Sequence, residues 1–102
     1  MNEREGEPNA RTRPPIRKRG VYILKQVQKV FRGVRQEYPK FYYERLEPAI
    51  GHLLEFAGQE PDLSLGDNYF AREIAGCAWL VYKVDLDDVW IVDFEFYAKP
   101  AS

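Results

Sequence analysis

Hydrophobic and polar positions along the chain follow two different periods, and the clearest is the two-residue period between Asn68 and Tyr97. Asn68 to Ile74 carries Tyr69 and Phe70. Cys77 to Val84 reads Cys-Ala-Trp-Leu-Val-Tyr-Lys-Val, and Val89 to Tyr97 reads Val-Trp-Ile-Val-Asp-Phe-Glu-Phe-Tyr. Runs so rich in β-branched and aromatic residues suit a pleated surface. Ala75-Gly76 separates the first two runs and Asp85-Leu86-Asp87-Asp88 the last two, both short enough to close antiparallel hairpins. A three-stranded meander is predicted. Strict alternation in its last strand puts Trp90, Val92, Phe94 and Phe96 on one face and Val89, Ile91, Asp93, Glu95 and Tyr97 on the other. The aromatic face needs a cover.

The cover has to come from residues 27 to 57, where the period lengthens. Before it, Val21-Tyr22-Ile23-Leu24 follows Gly20 and predicts a short first strand running to about Lys25. Val27, Val30, Phe31 and Val34 then form one apolar stripe of a helix, with Lys25, Lys29, Arg32 and Arg35 away from it. Tyr38-Pro39 ends or bends that helix. Phe41, Tyr42, Leu46, Ile50, Leu53, Leu54 and Ala57 predict a second helix, interrupted near Glu44 to Pro48 by either a kink or a break with Pro48 in the first turn of a new segment. Gly58-Gln59-Glu60-Pro61-Asp62 closes the helical stretch, and Leu63-Ser64-Leu65-Gly66-Asp67 is expected as a loop. The predicted class is α+β in two layers: a small antiparallel sheet in the order β-α-α-β-β-β, covered on one face by a helical hairpin.

Composition narrows the picture. The chain has 102 residues, enough for one domain, and 45% of them are apolar. Residues 20–102 are expected to form that domain. Residues 1–19, rich in Pro and Arg with little to bury, are expected as a disordered basic arm. No apolar run reaches the length of a membrane-spanning helix, and the N-terminus lacks the apolar core of a signal peptide, so the expected location is cytoplasmic. One cysteine, Cys77, and one histidine, His52, leave no cluster for a zinc site. No metal or other cofactor is expected.

The formal charge of −1 hides a segregation by sequence. Residues 8–40 hold ten cations against Glu37 alone, a net +9. Residues 41–102 hold four cations against twelve acids, a net −8. Arg11, Arg13, Arg17, Lys18 and Arg19 in the arm, with Lys25, Lys29 and Arg32 on the first helix, are candidates for binding nucleic acid or another anionic partner. The alternative is that the positive and negative parts of the chain pair with each other, or that the arm pairs with an acidic partner protein.

The element order, and the stretch from Asp67-Asn68-Tyr69-Phe70-Ala71-Arg72 through Leu80-Val81-Tyr82-Lys83-Val84 to Val89-Trp90-Ile91-Val92, resembles the RelE/ParE superfamily of bacterial toxins. The family pattern is a basic strand, a turn, the motif Tyr-Arg-Leu-Val-Tyr, an acidic hairpin and a hydrophobic last strand. The resemblance implies a toxin–antitoxin system, with an antitoxin-like protein as partner and growth inhibition through the ribosome and its messenger RNA or through DNA gyrase. If the chain is an enzyme, it implies a ribosome-dependent endoribonuclease with Arg72, Lys99 and Tyr97 as the candidate catalytic set. Cleavage by 2′-OH attack needs a base, a cation at the phosphate and an acid for the leaving oxygen.

The chain departs from the family pattern where that chemistry lies. Trp79 stands in place of the motif arginine and Ala78 in place of its tyrosine. Asp93 and Glu95 add negative charge to the last strand. The expectation is therefore a toxin-like protein that binds its target with little or no RNase activity. The alternative is a non-enzymatic adaptor or inhibitor, of phage or plasmid type, that uses the same fold to bind protein.

Overall fold

The computed structural model describes residues 20–101, so the proposed arm lies outside the described residues. Strand β1 (Val21–Ile23) leads directly into helix α1 (Lys25–Glu37). Val27, Phe31 and Val34 are buried along α1, whereas Val30, expected beside them, is 44% exposed. At about 100° per residue Val30 falls on the margin of the stripe that the other three centre. The helix ends where expected, the Tyr38 N–H donating to the Val34 carbonyl at 2.7 Å, and Pro39 opens the short helix α2 (Pro39–Phe41).

The second helical arm continues through a π-helical turn (Tyr42–Leu46) into α3 (Glu47–Phe56), with Pro48 in the first turn of α3. Proline has no N–H to donate, and its ring crowds the carbonyl four residues earlier. Widening the preceding turn relieves that crowding, and the Glu47 N–H accordingly bonds the Tyr42 carbonyl five residues back. The expected interruption is thus a π turn with a new segment behind it. Gly58, at φ 77°, takes the chain out of the helix in a conformation that an L side chain resists.

Four further strands follow: β2 (Leu63–Gly66), β3 (Tyr69–Ile74), β4 (Ala78–Asp85) and β5 (Asp88–Phe96). They form one sheet in the order β1-β5-β4-β3-β2. Both hairpins of the meander stand as read, with Ile74 opposite Ala78 and Asp85 opposite Asp88. Two expectations are corrected. The sheet has five strands, because Leu63–Gly66, expected as a loop, pairs with β3 through a turn whose Asp67 and Asn68 both have positive φ, as a two-residue hairpin requires. The sheet is also mixed, because β1 runs parallel to β5: the helical arms carry the chain across one face before it returns.

A third correction concerns β5. The β4–β5 register shifts between Val81 and Tyr82, so that Val81 faces Asp93 and Tyr82 faces Ile91, with Val92 as the extra residue. Such a bulge reverses the alternation on its strand. Val89 and Ile91, expected on the outer face, are wholly buried; Phe94 and Phe96 stay on the core side as expected; Trp90 points outward and is 37% exposed. The core joins Val27, Phe31 and Val34 of α1 and Phe41, Leu46 and Leu53 of the second arm to Leu80, Ile91 and Phe94 of the sheet. Phe94 meets Phe31 edge-on at 5.5 Å and lies 6.4 Å from Phe41. The architecture is α+β in two layers, and no described helix is long and apolar enough to cross a membrane.

The bulge makes neighbouring aromatic residues unequal. Phe94→Ala is expected to cost roughly 3–5 kcal/mol, enough to abolish or nearly abolish folding of a small domain. Trp90→Ala, on the outer face, should cost far less. Parallel thermal melts check this, and equal losses would mean that β5 keeps one unbroken alternation.

Candidate functional site

One end of β3 gathers most of the polar chemistry of the described residues. Arg72 stands on the core side of the strand, opposite Leu80, where β2 has already ended and α3 lies above. An arginine there needs a buried counter-charge. Asp62 supplies it from the loop before β2: the Arg72 Nε–H donates to Asp62 Oδ1 at 2.8 Å, and the two side chains are 13% and 1% exposed. The other carboxylate oxygen of Asp62 accepts a hydrogen bond from the Tyr82 hydroxyl. That hydroxyl in turn accepts the Gly58 N–H at 2.8 Å. Both carboxylate oxygens of Asp62 and the Tyr82 hydroxyl therefore have partners, as burial demands.

Arg72 reaches α3 as well. Its Nη1 donates to the Ala49 carbonyl at 3.4 Å and to His52 Nδ1 at 3.0 Å. Because a guanidinium only donates, His52 accepts through Nδ1 and holds its proton on Nε2. The His52 ring stacks on Phe56 with centroids 4.4 Å apart. His52, Pro61, Asp62, Leu63, Arg72, Glu73 and Trp79 enclose a hollow of about 440 Å³ at this edge of the sheet.

The remaining candidates lie elsewhere. Tyr97 belongs to the outer side of the sheet: its ring sits 6.2 Å from Trp79, and its hydroxyl donates to Glu73. That bond, helped by desolvation, pushes the Tyr97 phenol up to about 12, which makes it a reluctant proton donor at neutral pH. Lys99 is exposed in the segment after β5. Of the candidate catalytic set, Arg72 is engaged with Asp62, Tyr97 with Glu73, and Lys99 lies in the segment after β5.

Trp79, at the position where the family resemblance puts an arginine, is half-buried on the outer face between cross-strand neighbours Glu73 and Glu95. Cys77 is buried, and burial, with the Glu73 charge second, pushes its thiol up. It is packed side chain, not a nucleophile.

Of the binding candidates, Arg11, Arg13, Arg17, Lys18 and Arg19 lie outside the described residues. Lys25, Lys29 and Arg32 are exposed on α1, on the helical side of the molecule. Arg32 and Arg35 edge a hollow of about 260 Å³ together with Ile23, Gln28, Phe31 and Tyr42, and the Arg35 guanidinium lies 5.9 Å from the Tyr42 ring centre. The basic ridge is thus real as a surface feature. Sequence reasoning missed Asp62, Tyr82 and Glu73 as members of polar contacts, and considered His52 only as a zinc ligand. Only the register of β3 on β4 could have paired Glu73 with Trp79, whereas no local signal ties Asp62 to Arg72.

Among the described residues no group of three His, Cys, Asp or Glu side chains is placed to hold a metal ion. No family model, characterised protein or solved structure matches the chain.

The Tyr82 network has a pH signature. Burial and the bond to Asp62 push the Tyr82 phenol up to about 12, above the value near 10 of an unfolded chain. The folded protein thus holds this proton more tightly, so its contribution is complete below about pH 10 and is lost as pH rises through about 12. Tyr82→Phe should lower stability at neutral pH by roughly 1–3 kcal/mol, because it strands the Gly58 N–H and one Asp62 oxygen. It should also flatten the alkaline fall of stability. Urea melts from pH 8 to 12 check both, and an unchanged alkaline limb in the variant would show that Tyr82 is not the titrating group.

Proposed function

We propose that this chain is a RelE/ParE-like, growth-inhibiting protein that acts by binding a host macromolecule and not by cutting RNA. The observation that carries the non-catalytic half of this reading is the setting of Trp79. At the position where the resemblance calls for a phosphate-binding arginine, the chain has an indole flanked by Glu73 and Glu95. A developing phosphorane there would meet negative charge in place of a donor, and losing one preorganised donor typically costs on the order of 100- to 1000-fold in rate. Arg72, the nearest arginine in sequence, is already paired with the Asp62 carboxylate.

The resemblance in element order and strand pattern supports the toxin half, with an antitoxin-like protein as partner and the ribosome or DNA gyrase as target. The exposed ridge Lys25, Lys29 and Arg32 supports docking on an anionic surface. The exposed acids Asp93 and Glu95 favour the second reading, an adaptor or inhibitor that binds a basic protein.

The test is expression in a bacterial host, with growth scored and messenger RNA ends mapped, for the parent chain, Lys99→Ala and Tyr97→Phe. Growth arrest without new RNA ends is expected. Codon-phased cleavage that either substitution abolishes would overturn the non-catalytic reading, and unimpaired growth would favour the adaptor.

A further inference from the structure

The outer face of the sheet is built like a docking surface. The helices and the core lie on the other side, so the strand positions that point away from the core form three ordered rows. The first runs Tyr22, Trp90, Lys83, Tyr69 across β1, β5, β4 and β3. Tyr22 stacks on Trp90 at 4.8 Å, and the Lys83 ammonium lies 5.3 Å from the Tyr69 ring centre. The second row is Asp93, Val81, Ala71 and Leu63. The third is Glu95, Trp79 and Glu73, with Tyr97 alongside. Aromatic rings at both ends and apolar side chains in the middle make a surface for contact, and Asp93, Glu95 and Glu73, all exposed, outnumber the single lysine among these rows.

We infer that this face is the docking site of the chain's own cationic segment, residues 8–19. Three observations select that occupant. The first is charge: residues 8–19 hold Arg11, Arg13, Arg17, Lys18 and Arg19 and no acid, against the acidic bias of the face. Guanidinium groups also stack on tryptophan and tyrosine rings. The second is the point of attachment. Gly20 donates its N–H to Asp88 at 3.2 Å and accepts the Val89 N–H at 2.8 Å, which places it beside β5. The Tyr22 ring folds back so closely on Gly20 that a Cβ there would lie 2.8 Å from it. The described chain therefore begins, at Gly20, beside the Tyr22–Trp90 end of the outer face.

The third is reach. Twelve residues in the extended form that Pro8, Pro14 and Pro15 favour cover about 37 Å at about 3.1 Å per residue, whereas five strands about 4.8 Å apart are only about 19 Å across. A tethered segment experiences a local concentration in the millimolar range, so an intrinsic affinity no better than millimolar keeps the face about half covered. This pairing gives the opposite charges of the two parts of the sequence a common location, and it stands independently of the toxin reading. It also means that a polyanion binding the segment uncovers the sheet.

The chain carries its own reporter, because both of its tryptophans, Trp79 and Trp90, belong to this face. Acrylamide quenching of tryptophan fluorescence is measured on the full chain, on Arg11→Gln/Arg13→Gln/Arg17→Gln, on Asp93→Asn/Glu95→Gln, and on all five substitutions together. Circular dichroism monitors the fold, and substitutions at these exposed or arm positions leave the core contacts intact. If the face is about half covered, each partial variant should raise the quenching constant up to about twofold, and the combined variant should add nothing further. Raising ionic strength from about 0.01 M to about 1 M, which shrinks the Debye length from about 30 Å to about 3 Å, should do the same in the parent alone. Equal quenching in all four proteins at low salt would overturn the proposal. So would shielding that grows with protein concentration, which would assign the face to a second copy, or effects of the arginine and acid substitutions that add independently.

Discussion

One extra residue in β5 decides which side chains the helices have to cover. With Val92 as a bulge, Val89 and Ile91 before it share a face with Phe94 and Phe96 after it. Without it, half of these would point to solvent and Trp90 would have to enter the core. The strand lies between β1 and β4, so its core face meets α1 as well as both neighbouring strands. Phe94, set between the rings of Phe31, Phe41 and Phe96, touches both helical arms, and Phe96 beside it meets Tyr38 and Phe41. The bulge also turns Trp90 onto Tyr22 on the opposite side, so one local irregularity orders two faces.

The edge where β2 stops is held differently. Apolar packing there gives way to an ion pair, Arg72 with Asp62, and to the buried hydroxyl of Tyr82. Buried pairs of this kind add little net stability compared with apolar side chains of the same shape, yet removing one member leaves an uncompensated charge. Their effect is geometric: they fix the loop containing Asp62 against β4 and bring the Gly58 turn onto the Tyr82 hydroxyl. An arginine committed to that task is unavailable to a phosphate on the other side of the sheet.

The legible parts of the sequence were those governed by neighbours along the chain. The α1 stripe, the Tyr38-Pro39 stop, the disturbance ahead of Pro48 and the two hairpins of the meander all follow from local spacing and turn chemistry. Alternation along β5 failed because a bulge is selected by packing on both sides of the strand, and nothing in Val-Trp-Ile-Val-Asp marks which residue will be extra. Strand β2 was missed because all four of its residues are exposed, leaving no burial pattern to read; the signal was instead the Asp67-Asn68 turn. Of the site, Arg72 entered only through the family resemblance, and its contact with Asp62, ten residues earlier in a loop, had no local signal. Such pairings are set by the fold, and single-sequence reasoning has no access to them.

The two sides of the protein consequently differ in what they can hold. The helical side exposes Lys25, Lys29 and Arg32 in a row next to the hollow beside Tyr42. The sheet side exposes aromatic rings among Asp93, Glu95 and Glu73. A row of exposed cations attracts anionic surfaces, and acids set among aromatic rings attract cationic ones. The two sides thus differ in kind, a cationic row over the helices and acids among aromatic rings on the sheet, while Arg72 is paired with Asp62 at the edge between them.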